Sequence, residues 1–211
     1  MHMKKIILFL VFYPNVACLT LIHAQSGLVL EVSQLYTSFK FKDRQGIKHD
    51  SEYQGIYTGA YGIGYRFVND IGLIIKPGIG MRNGGANLVY DDQNYSWRLQ
   101  YADLKLGLGY MTRFETVNPY FLASGYYAFL LRGTQITHNE NLNITESNLL
   151  SNIDYGLIFS PGVNIKLSDY ISSYVELNYF KGLTNIEKDP GQKTKNFAYG
   201  LSIGVAFSFS E

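Results

Sequence analysis

Residues Asn196–Phe209 read NFAYGLSIGVAFSF. Every second residue is large and apolar: Phe197, Tyr199, Leu201, Ile203, Val205, Phe207 and Phe209. Between them lie Ala198, Gly200, Ser202, Gly204, Ala206 and Ser208, all small or weakly polar. A period of two puts these sets on opposite faces of one β-strand. A soluble strand buries its large face and turns a strongly polar face to water. Here the second face is too small and too weakly polar for that. It suits a narrow interior, which leaves the large set facing an apolar medium.

The same pattern recurs along the chain. Tyr53, Tyr57, Tyr61, Ile63, Tyr65 and Phe67 oppose Gln54, Thr58, Gly62, Gly64 and Arg66. Ile71, Leu73, Ile75, Ile79 and Met81 oppose Lys76, Gly78, Gly80 and Arg82. Ile153, Tyr155, Leu157, Phe159, Val163 and Ile165 oppose Asp154, Gly156, Ser160, Gly162 and Asn164. With Leu28–Phe41, Tyr95–Thr112, Pro119–Arg132 and Tyr170–Gly182 this predicts eight strands. In the second of these, Leu104, Leu106, Leu108 and Tyr110 alternate with Asp103, Lys105, Gly107 and Gly109. Trp97 and Leu99 are out of phase with those leucines, so a bulge is expected near Tyr101–Asp103.

Connections alternate in length. Gaps 42–52, 83–94, 133–152 and 183–195 are long; gaps 68–70, 113–118 and 168–169 are short. An even strand count with short turns on one side and long loops on the other predicts an all-β, eight-stranded, antiparallel up-and-down transmembrane β-barrel. Both termini then fall on the short-turn side. Aromatics near that side, Tyr65, Phe67, Tyr110, Tyr120, Tyr170, Phe207 and Phe209, are expected to form an interfacial girdle.

Composition agrees. Charged residues are 17% of the 211, with 18 Tyr, 13 Phe and 21 Gly; soluble domains carry about 25% charged residues. The net charge of +1 gives no basis for nucleic-acid binding. Cys18 is the single cysteine, which excludes disulfides and Cys-based zinc sites. At the N-terminus, Lys4 and Lys5 precede an apolar stretch and Ile22-His23-Ala24. That is the layout of a secretory signal, residues 1–24, with Gln25 opening the mature domain, residues 25–211. A membrane anchor and lipidation at Cys18 are the alternatives; Pro14 and Asn15 interrupt the apolar stretch, and Asn15-Val16-Ala17 fits a lipobox poorly.

Asp154-Tyr155-Gly156-Leu157, Gly162-Val163, Gly182-Leu183-Thr184-Asn185-Ile186 and Lys195-Asn196 before the final strand resemble the small outer-membrane β-barrel family that includes PorT. Tyr101, Leu104-Lys105-Leu106, Pro119-Tyr120 and Gly125 add to the resemblance, which spans most of residues 28–209. It implies a role related to type IX secretion. One departure is the end: Phe209 is followed by Ser210-Glu211, where such chains usually finish on the aromatic read by the assembly machinery.

The inner face collects Glu31, Asp103, Asp154 and Glu176 against Arg66, Lys76 and Lys105, with Arg82 and Arg132 nearer the outer rim. Both signs in a narrow lumen predict a polar network that seals it, because buried charges are costly unless paired; a selective pore favours a ring of one sign. The expected function is a non-catalytic outer-membrane barrel, its loops or periplasmic face engaging a partner. A narrow passive channel is the alternative, followed by a lipid-acting enzyme and a soluble ligand-binding barrel. His49-Asp50-Ser51 holds triad residue types, but a triad is spatial and adjacency does not make one. His138 has no obvious partner. Asp91-Asp92-Gln93-Asn94 reads as a solvated loop before a calcium site, and Asn143-Ile144-Thr145 as a chance sequon. No catalytic, metal or cofactor site is expected. Expected partners are outer-membrane lipid and, during biogenesis, the barrel assembly machinery.

Overall fold

The computed structural model describes residues 26–90, 93–137, 140–147, 149–189 and 191–208. The expected signal, Cys18, Asp91-Asp92, His138 and the end from Phe209 lie outside them. Nine strands run β1 Gly27–Lys42, β2 Tyr53–Val68, β3 Leu73–Tyr90, β4 Gln93–Met111, β5 Val117–Thr137, β6 Glu140–Asn143, β7 Ile153–Lys166, β8 Ile171–Gly182 and β9 Lys193–Ser208. A helical turn, α1 Ile144–Ser147, follows β6.

All pairings are antiparallel. β1 to β4 pair in sequence, β4 pairs β5, β5 pairs β7, and β7, β8 and β9 follow. β9 returns to β1 over sixteen residue pairs, Gly27↔Ser208 to Lys42↔Lys193. Each of the eight long strands therefore has two neighbours, and the ladder closes on itself. β6 is an addition that pairs only the loop-side end of β5. Long strands fit this arrangement because large outward residues cover one face and small inward ones clear the other.

The expected facing holds in most strands. Tyr57, Val32, Leu177 and Ile203 point out and are exposed, while Val29, Ile74, Ser160 and Ser202 point in and are buried. Four expectations change. The 83–94 gap is not a long loop: β3 runs to Tyr90 and β4 starts at Gln93, paired throughout. Trp97, Leu99 and Tyr101 share the inward phase of Asp103, so β4 has no phase change. The irregularity lies instead in β5, where Gln100↔Arg132 is followed by Tyr101↔Leu130 and Leu131 is the extra residue. That bulge turns Arg132 outward, away from the lumen. A second shift, between Gly55 and Ala60, turns Tyr53 inward against Phe39 and Trp97. Tyr120 also points in and is buried, so the turn-side girdle has Phe121 in its place.

Two apolar clusters bound the interior. On the turn side Val29, Val68, Ile74, Met111 and Ala206 form a floor. On the loop side Phe39, Leu99, Leu130, Ile144, Leu150 and Ile186 form a cap, with Tyr53 and Trp97 against it. Short turns close the floor side. In the β2–β3 turn Gly72 adopts φ 91°, and a Cβ there would collide with the Met111 carbonyl. Only glycine takes that backbone without strain.

Candidate functional site

Between floor and cap the interior is polar, in two charged layers. The turn-side layer joins β1, β3, β4 and β8. Lys76 Nζ donates to Glu31 Oε2 at 2.9 Å and to Glu176 Oε1 at 3.2 Å. Lys105 Nζ donates to Glu31 Oε1 at 3.1 Å. Tyr120 Oη donates to Glu176 at 2.7 Å, and Tyr174 Oη to Glu31 at 3.2 Å.

The loop-side layer centres on Arg82. Its Nε and Nη2 donate to the two Asp103 carboxylate oxygens at 3.1 and 3.4 Å, and Nη2 also reaches Asp154 Oδ2 at 3.5 Å. The guanidinium lies over Tyr101, Tyr126 and Phe180, 4.9, 5.1 and 5.6 Å from the ring centroids. A planar fork between carboxylates and aromatic faces is a role lysine fills poorly. Asp154 accepts further bonds from Asn196 Nδ2 at 2.9 Å and Tyr126 Oη at 3.1 Å.

Register explains the tyrosines. Tyr120 sits opposite Gly162, Tyr126 opposite Gly156 and Tyr174 opposite Gly204 on the neighbouring strand. A Cβ at Gly162 or Gly156 would meet the tyrosine ring at 2.6 or 2.7 Å, and one at Gly204 would overlap Tyr174. Each glycine lets a ring lie along the wall and carry its hydroxyl to a carboxylate.

Between the layers Ser160 Oγ donates to Asn178 Oδ1, Asn178 Nδ2 donates to Ser202 Oγ, and Ser202 Oγ meets Ser33 Oγ, each at 2.6 Å. This belt lines a cavity of about 40 Å³, room for a few waters.

The seven expected lumen residues thus fall into three groups. Glu31, Lys76, Lys105 and Glu176 meet. Asp103 and Asp154 meet through Arg82, which is central rather than peripheral. Arg66 stands apart: it donates to Asn164 Oδ1 at 2.9 Å and Ser172 Oγ at 3.1 Å, its Nε has no partner, and among the described residues it pairs with no carboxylate. The tyrosines were not singled out as site residues. Their signal was an aromatic residue opposite a register-matched glycine.

In the first loop His49 does not face Ser51. Its ring nitrogens meet Glu52 at 2.7 Å and Asp43 at 3.0 Å, while Asp50 accepts the Phe41 N–H. Hydrogen bonds from those two carboxylates raise the His49 pKa, and the His49 contact is the main cause holding Asp43 below its ordinary range. This is a loop latch, with no nucleophile in the relay. Asn143 Oδ1 accepts the Thr145 N–H, a local turn contact at the start of α1.

No family model matches the chain, and no curated protein matches it by sequence. Solved structures do. The outer membrane protein OprG from Pseudomonas aeruginosa superposes with a TM-score of 0.55 at 12% identity, over 90% of this chain and 99% of that one. Neisserial surface protein A gives 0.52 at 12% identity, over 87% and 99%. At such identities the likeness is one of fold.

Proposed function

We propose that this chain is a non-catalytic outer-membrane β-barrel, exported with residues 1–24 removed, whose lumen is sealed and whose loops or periplasmic face engage a partner. The observation that carries it is the inverted polarity of the closed ladder. Lys76, Glu176, Arg82 and Asp154 point in, while Tyr57, Ile79, Leu106, Leu177 and Ile203 stand exposed outside. Lipid accepts that exterior, and a closed ladder satisfies the backbone within it. The expected PorT-like role in type IX secretion is the finer form of this reading, and the sequence resemblance alone supports it.

Sealing rests on the floor, the two paired layers and the cap. Eight strands leave room for side chains but not for a water column. Fractionation with heat-modifiable migration on a gel tests the membrane barrel, and recovery as a soluble species overturns it. Planar-bilayer recording of the purified protein tests the seal. No steady conductance is expected; reproducible single-channel steps would establish the narrow-channel reading instead.

A further inference from the structure

The outer face carries a charge pattern that the lumen does not explain. At the loop-side end of the β1–β9 ladder, Lys40 stands directly opposite Lys195, and Lys42 opposite Lys193. All four lie on the outward phase. Lys181 is on the same phase of β8, in register with Phe197, and Lys48 is bridged to Lys42 across the first loop. Like charges placed directly opposite across antiparallel strands repel at Cβ separations of about 5 Å. No acid answers them: among the described residues Lys40, Lys42, Lys181, Lys193 and Lys195 form no ion pair. Nearby carboxylates are engaged elsewhere, Asp43 and Glu52 by His49 and Asp189 by Arg44.

Directly below lies an aromatic cluster. Tyr179 and Phe197 pack at 5.5 Å, Phe197 and Tyr199 at 6.0 Å, Tyr199 and Tyr36 at 5.1 Å, and Tyr36 and Tyr57 at 5.3 Å. Lys40 Nζ stands 4.8 Å above the Phe197 ring. Rings at that height mark the boundary between acyl chains and headgroups. The lysines are therefore level with headgroups, on one side of the barrel, with their charge uncompensated.

We propose that this lysine face of β8, β9 and β1 docks a phosphorylated glycolipid of the outer leaflet, its phosphates between the opposed lysine pairs and its acyl chains along the aromatic cluster. The proposal rests on the outer-membrane reading above. A lipid phosphate fits because it is multiply charged, sits at headgroup depth and brings its own apolar anchor. A free anion would lack that anchor.

The test uses the full chain in detergent, titrated with lipid A carrying both phosphates, with dephosphorylated lipid A and with phosphatidylcholine, and read by native mass spectrometry. Phosphorylated lipid A should bind in preference to both. Joint replacement Lys40→Gln, Lys42→Gln, Lys193→Gln and Lys195→Gln should cut that binding on the order of a hundredfold, since each surface lysine contributes several-fold. Excess inorganic phosphate should not displace the lipid. Equal binding of dephosphorylated lipid A, equal binding by the quadruple variant, or displacement by free phosphate each overturns the proposal. Gel migration of the same samples separates the two levels. A heat-modifiable protein with no phosphate preference overturns only the lipid inference; a chain that is not heat-modifiable overturns the barrel reading, and this inference with it.

Discussion

The turn-side and loop-side layers hold charge in different ways. Lys76, Lys105, Glu31 and Glu176 form a chain of single contacts in which each member but Lys105 has a second partner. The Lys76 and Glu31 side chains keep 13% exposure each, and the water-sized cavity lies beside them. In the other layer one cation serves two acids, with exposures of 2% for Arg82 and 0% for Asp154. Aromatic faces and the apolar cap surround it. A distributed layer tolerates the loss of one member; a centred layer does not. The loop side is thus the brittle end of the lumen.

The sharpest way to break that comparison is to remove one cation from each layer. Arg82→Met leaves Asp103 and Asp154 facing each other in a dry site, and losing one partner of a buried pair costs about 3–5 kcal/mol. Lys76→Met leaves Lys105 on Glu31 and Tyr120 on Glu176, so the cost should fall to about 1–3 kcal/mol, that of unmade hydrogen bonds. Urea unfolding in vesicles, followed by heat-modifiability, ranks the two. Equal costs would mean that the layers are not built differently.

How much of this was legible in the sequence follows from the range of each cause. Strand faces are set by alternation, so the inward placement of Glu31, Lys76, Asp103, Asp154 and Glu176 could be read directly. Contacts across the lumen could not. Arg82 and Asp154 are 72 residues apart and meet only because the ladder closes. Arg132 was misplaced because a single extra residue, Leu131, reverses the face of everything beyond it. Gly84 and Gly85 made the end of β3 look like loop, yet Gly85, at φ 141°, lies against the Trp97 carbonyl inside a paired strand. Ile144 and Ile186 are solitary apolar residues in polar loops. Their burial in the cap has no periodic signal, although an isolated isoleucine in such a loop is itself a hint.

The glycine–tyrosine pairs sharpen the comparison at smaller amplitude. Gly204→Ala pushes Tyr174 away from Glu31 and Lys76. Gly156→Ala meets both the Tyr126 ring and the Lys181 carbonyl. Overpacking of this kind costs about 1–3 kcal/mol, and the loop-side variant should lie at the upper end because backbone yields less than a ring. Adding Tyr174→Ala to Gly204→Ala should recover part of the loss, a coupling that a double-mutant cycle measures. Strict additivity would show that the ring and the glycine are independent.

The smallest effect lies outside the layers, in the His49 latch. The folded-state pKa of His49 is raised by its bonds to Glu52 and Asp43. Its stabilisation is therefore complete below the ordinary histidine value and is lost as pH rises through the raised one. The Asp43 pKa is lowered, so its share is present above the ordinary aspartate value and is lost as pH falls through the lowered one. The latch is closed between those limits. Asp43 also accepts the amides of Gln45 and Ile47 at 2.9 and 2.8 Å, which makes them the reporters. Their exchange, corrected for intrinsic rate, should be slowest in mildly acidic solution and should accelerate above neutrality. Amides of the buried ladder around Asp103 should show no such step. In Glu52→Gln the His49 ring should titrate closer to the ordinary value of about 6.5. An unchanged His49 titration in that variant would remove Glu52 from the latch. A matching pH step at Asp103 would show that the loop and the lumen layer move as one unit.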